Sequence, residues 1–127
     1  MNHAIIAGRV AKDPQHKTTS SGLAVCSFTV AVDRRYKDAQ GQRTADFFTV
    51  VAWRGAAEFA ARYLYKGQRV AVSGSLETRS YTAQDGSTRY VTEIIAEQIE
   101  PQEWRQDGQQ PQAAPVMQEV EDDDLPF

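Results

Sequence analysis

Residues 47–76, FFTVVAWRGAAEFAARYLYKGQRVAVSGSL, change their hydrophobic period twice, and the order of those changes decides the fold. Phe47, Thr49, Val51 and Trp53 alternate with Phe48, Val50 and Ala52, the two-residue period of a strand. From Gly55 to Tyr65 the period lengthens. Ala57, Ala60, Ala61 and Leu64 recur at helical spacing, and Lys66-Gly67 supplies a basic last turn followed by a C-terminal glycine. Alternation resumes at Arg69, with Val70, Val72, Gly74 and Leu76 facing one way and Ala71, Ser73 and Ser75 the other. The stretch reads strand, helix, strand.

Upstream, Asn2 to Val10 and Leu23 to Asp33 are rich in β-branched and apolar residues, with Asp13-Pro14 and Ser20-Ser21-Gly22 as turn signals between them. Two strands are expected there. Arg34 to Ala45, which joins the second strand to a third at Asp46 to Trp53, is long for a tight hairpin and reads as a functional loop. Downstream, Asp85-Gly86 predicts a hairpin turn between Glu77 to Tyr81 and Arg89 to Ile99. Three strands, a helix and two long strands is the order of an all-β oligonucleotide-binding (OB) fold, a five-stranded barrel whose helix joins the third and fourth strands.

A chain of 127 residues has room for one domain of about 100 residues and a tail. After Pro101, six glutamines from Gln102 to Gln118 mingle with Gly108, Pro111 and Pro115, a mixture that buries too little apolar surface to offset ordering entropy. The expected division is a barrel over 1–105, a disordered linker over 106–121 and an acidic tip over 122–127. Trp104 either caps the barrel edge or ends the last ordered segment. Charge divides at the same place: residues 1–100 hold 13 Lys+Arg against 10 Asp+Glu, whereas 101–127 hold one Arg against seven acids. A mildly basic body with an acidic tail fits a nucleic-acid binder that also docks partners. No basic leader precedes an apolar run and no eighteen consecutive apolar residues occur, so a cytoplasmic protein without a membrane span is expected. Cys26 is the only cysteine, and with His3 and His16 alone beside it there is no zinc ligand set, so neither a metal nor another cofactor is expected.

Side chains two apart on a strand share a face, so if Phe48 and Val50 are the buried pair, Phe47 and Trp53 stand outside. Glu77, Arg79 and Tyr81 share a face of the later hairpin, and Tyr36 lies in the long loop. One aromatic on a sheet is more often core than ligand. Several, interleaved with Arg9, Arg34, Arg35, Lys37, Arg54, Arg79 and Arg89, match what single-stranded nucleic acid needs: π-faces for bases and cations for phosphates. The tail is more specific. Glu119, Glu121, Asp122, Asp123 and Asp124 run into Leu125-Pro126-Phe127. A solubilising tail gains nothing from an apolar end. A peptide ligand does, with Phe127 filling a pocket and the acids meeting a basic rim.

These residues, together with Gly8-Arg9, Asp13-Pro14, Phe28, Tyr63-Leu64, Lys66-Gly67 and Gly74, make the chain resemble bacterial single-stranded DNA-binding proteins over essentially its whole length. The resemblance implies an OB-fold homotetramer that coats single-stranded DNA during replication, recombination and repair, and it implies no enzymatic activity. It maps base stacking onto Tyr36, Phe47, Trp53 and Tyr81. It also implies docking of DNA repair, recombination and replication proteins through Asp122 to Phe127. A replication-restart or RNA-binding OB protein is the nearest alternative, and such relatives generally lack the acidic Leu-Pro-Phe ending. A nuclease using Asp122 to Asp124 is disfavoured, because adjacent acids in a floppy tail are not a preorganised site.

Overall fold

The computed structural model describes residues 1–104. Within them the chain runs β1 (Ala4–Val10), β2 (Gln15–Thr18), β3 (Ala24–Lys37), β4 (Arg43–Trp53), α1 (Gly55–Tyr63), β5 (Arg69–Thr82) and β6 (Thr88–Pro101). Neighbours in the sheet follow the order β1-β5-β6-β4-β3-β2, and β1 pairs a second time, with β3, where Arg9 opposes Ala31 and Val10 opposes Val30. That second pairing closes β1, β5, β6, β4 and β3 into a five-stranded barrel. All ladders are antiparallel except β4 with β6. The OB-fold expected from the element order is the fold observed, with α1 between the third and fourth barrel strands.

The core follows the two-residue period, except on β6, where a register shift switches it between Ile94 and Ile99. Cys26, Phe28 and Val30 of β3, Val50 and Ala52 of β4, Val70 and Val72 of β5, and Ile94 and Ile99 of β6 are buried together with Ala57, Phe59, Ala60 and Leu64. Burial pushes the Cys26 thiol up to about 11. At two places the strands approach too closely for any side chain: a Cβ on Gly8 would collide with the Ala31 carbonyl across the closing seam, and one on Gly74 with the Ile95 carbonyl beside a register shift. Among the described residues no helix is long and apolar enough to cross a membrane.

Three local expectations change. The Arg34 to Ala45 loop is mostly strand: β3 continues to Lys37 and β4 begins at Arg43, because Asp38 closes a tight turn by accepting the amides of Gln40 and Gln42 on Oδ1 (both 2.9 Å). The short β2 was not foreseen. It is polar and exposed throughout, and pairs with β3 through a turn in which Thr19 donates its amide to the Leu23 carbonyl. The helix ends at Tyr63 rather than Tyr65; Leu64 is already extended, and Gly67 (φ 91°) serves a separate turn in which Gln68 donates to the Tyr65 carbonyl. Phe48, which would pair with Val50 in the core or at a subunit contact, is exposed in the single chain. Trp104 packs edge-on against Phe59 (6.4 Å between centroids) and Tyr63 (5.6 Å) of α1. The expected disordered linker and acidic tip lie outside the described residues.

Candidate nucleic-acid interface

Register alone puts three of the predicted aromatics on one surface. Val51 lies beside Ile95 in the parallel β4–β6 ladder, so the face holding Phe47, Thr49, Val51 and Trp53 continues across β6 through Ile95, Glu93, Val91 and Arg89. In the next ladder Ser75 opposes Ile95, Glu77 opposes Glu93, Arg79 opposes Val91 and Tyr81 opposes Arg89, which carries the face onto β5. The alternate residues Val50, Ala52 and Ile94 point into the core. Phe47 (65% exposed), Tyr81 (48%) and Trp53 (41%) therefore stand on the outside of a barrel wall whose other side is packed. Large aromatics left in water on so constrained a backbone are displayed, not spilled from the core.

Tyr36 is placed differently. It lies on the protruding end of β3, where Arg34 donates from Nη1 to its hydroxyl (3.5 Å) and from Nε and Nη2 to Asp46 (3.1 and 2.8 Å). Asp46 alternates with Phe47, so Tyr36 stands with this pair on the opposite pleat of the β3–β4 ribbon. Two further aromatics are exposed: Tyr90, which the sequence does not single out, and Phe48, offered there as a buried partner of Val50. Tyr90, the most exposed of all, opposes Ser80 and so faces away from Tyr81; Phe48 faces away from Phe47. The alternation of Tyr90 with Arg89 was the available signal.

The seven predicted phosphate cations divide into two groups. Arg79 donates from Nε and Nη2 to the two carboxylate oxygens of Glu93 (3.0 and 3.2 Å), and Arg34 is bound the same way by Asp46. Arg89 reaches Asp85 at 3.5 Å, and Arg9 reaches Glu103 at 3.6 Å while donating to the Gly67 carbonyl. Hydrogen bonds donated to Asp46 and Glu93 raise the pKa values of Arg34 and Arg79 above the ordinary arginine range. Arg34 in turn holds the Asp46 carboxyl below its usual value. Arg9 belongs to another place, a groove of about 620 Å³ along the closing seam that is also lined by Gly8, Ala31 and Arg69.

Among the described residues, Arg35, Lys37 and Arg54 make no ion pair with a carboxylate. Arg54 is also strained: it follows Trp53 at φ 56°, ψ −124°, where the chain leaves β4 for α1 without a side-chain cap. A non-glycine residue in such a conformation costs on the order of 1–3 kcal/mol and persists only where its surroundings over-determine it. The strain sets an uncompensated cation at the end of the aromatic face.

The comparisons with known proteins identify the family. The Single-strand binding protein family profile matches residues 1–102. Single-stranded DNA-binding protein 2 of Clostridium acetobutylicum is 44% identical over an alignment spanning all of both chains. The Single-stranded DNA-binding protein of Bacillus cereus is 47% identical across 85% of this chain and 64% of its own. Among solved structures, the Plasmodium falciparum SSB complex with ssDNA superposes with a TM-score of 0.73 at 27% identity, covering 81% of this chain and 96% of that one. With its closed barrel, its outward aromatic face and a profile match over nearly the whole described region, the chain belongs to the single-strand binding protein family.

Proposed function

We propose that the chain binds single-stranded DNA without sequence preference, protects it during replication, recombination and repair, and recruits partner proteins through its acidic tip. The observation that carries the binding reading is the shared exposed face of Phe47, Trp53 and Tyr81, backed by a close-packed core. Every base offers a π-face, so stacking is indifferent to sequence, and unpaired bases are required to reach it. Arg35, Lys37 and Arg54 supply charge for phosphates, and Tyr36 on the ribbon adds a stacking surface once the strand bends over it. The names of the relatives support the same reading. Titrating the full chain with oligo-dT and with a duplex of equal length tests it: strong preference for dT is expected, and equal affinity for the duplex overturns it.

Two parts of the reading concern assembly. The working form is a homotetramer, and Ile5 of β1, across from Ser73 of β5, offers an exposed apolar side chain that a second copy would cover. Sedimentation at micromolar concentration is expected to give an oligomer, and a monomer contradicts it. The tip, Asp122, Asp123, Asp124, Leu125, Pro126 and Phe127, docks repair, recombination and replication proteins. Deleting Phe127 removes both the apolar plug and the carboxylate from the position a pocket reads, so partner pull-down is lost while DNA affinity stays; retained pull-down rules the role out.

A further inference from the structure

A carboxylate is an unwelcome group on a surface that meets phosphates, yet Glu93 sits in the middle of the aromatic face. Its side chain is only 9% exposed, whereas that of its partner Arg79 is 60% exposed. A buried carboxylate demands a partner, and Arg79 meets it from the diagonal position across the β5–β6 ladder. The bonds run from Nε and Nη2, along one edge of the guanidinium. Nη1 bonds to nothing among the described residues, and the side chain as a whole is left largely open to solvent. Glu77 lies directly opposite Glu93, so Arg79 shares this face with two neighbouring acids and its charge is compensated. Tyr81 follows Arg79 by two residues on the same face.

We propose that Glu93 is a positioning residue that holds the Arg79 guanidinium flat for stacking on a base, so that Arg79 does not neutralise a phosphate. A planar cation at the level of neighbouring aromatics accepts a base on its face. Because Glu93 compensates its charge, it releases no counterion when DNA binds. Arg35, Lys37 and Arg54, with no acid partner, carry the phosphate contacts instead. The inference rests on the single-strand reading above and divides its cations into two kinds.

The test is oligo-dT affinity of the full chain across a salt series. Arg79→Ala is expected to weaken binding about tenfold, within the range of one lost stacking contact, and to leave the slope of log K against log salt unchanged. Loss of a phosphate contact would flatten that slope by about 0.7. Glu93→Gln frees the guanidinium charge, and the slope steepens by about 0.7. Arg79→Lys keeps charge but loses the plane, and is expected not to restore affinity. Should a buried unpaired carboxylate unfold Arg79→Ala, the double variant Arg79→Leu with Glu93→Gln removes both charges and carries the same expectation. A flattened slope in either Arg79 variant, an unchanged slope in Glu93→Gln, or rescue by lysine overturns the proposal. Failure of the single-strand reading looks different: the unaltered chain and Trp53→Ala would then bind dT and duplex alike.

Discussion

The two faces of β4 are made from one strand and obey opposite rules. Val50 and Ala52 are completely buried in the core, while Phe47 and Trp53, their alternates, stand in water. The buried face is apolar and specifies the barrel. The exposed face is more aromatic than folding requires, and its neighbours on β6 and β5 add an ion pair where a soluble protein needs only scattered charge. Rigidity is what links them: because one pleat is locked into the core, the other cannot rotate its aromatics inward, and they remain presented to a ligand.

Breaking the buried side should have the largest effect. Phe28→Ala removes a ring from a core position and is expected to lower stability by about 3–5 kcal/mol, read by denaturant unfolding. DNA binding then falls only as far as the fold does. Breaking the exposed side should do the reverse: Phe47→Ala and Trp53→Ala should each weaken dT binding by roughly 1–3 kcal/mol while the unfolding midpoint barely moves. Unfolding of both variants would show that the outer face is packed rather than displayed.

A smaller effect sharpens the boundary between body and tail. Trp104→Ala removes the ring packed on Phe59 and Tyr63 and should lower stability by about 1 kcal/mol with dT affinity unchanged. pH offers a gentler probe of the core. With the Cys26 thiol pushed up to about 11 by burial, the unfolded chain releases this proton first as pH rises through its ordinary value of 9.0. The contribution to stability is therefore intact below about pH 9 and declines toward pH 11, by roughly 2–3 kcal/mol at most. The decline should be absent from Cys26→Ala. At the acid end the sign reverses: the lowered Asp46 pKa stabilises the ribbon above the usual carboxylate range and is lost as pH falls below it.

Much of this is legible in the sequence. The alternation in Phe47 to Trp53, the helical spacing that follows it and the Asp85-Gly86 turn state their own geometry, since each is a local preference that the fold reinforces. What was hidden depends on register. Gln15 to Thr18 has no apolar alternation, and only its pairing with β3 makes it a strand. The pleat on which Tyr36 stands follows from the pairing of Val32 with Asp46, a register that composition does not announce. Arg34 and Arg79 read as free cations because their acid partners are twelve and fourteen residues away in the chain. Nothing in the sequence singles out Glu93, because its ion pair with Arg79 forms only once β5 and β6 are in register.

The central claim is that the outward aromatics stack on unpaired bases, and tryptophan fluorescence tests it most directly. The chain holds two tryptophans, so Trp104→Phe leaves Trp53 as the only reporter. Stacking brings the indole against a base, and oligo-dT is expected to quench its emission saturably, with the same midpoint as binding measured by anisotropy, while duplex of equal length leaves it bright. Saturable dT binding with an unchanged Trp53 signal would contradict the account.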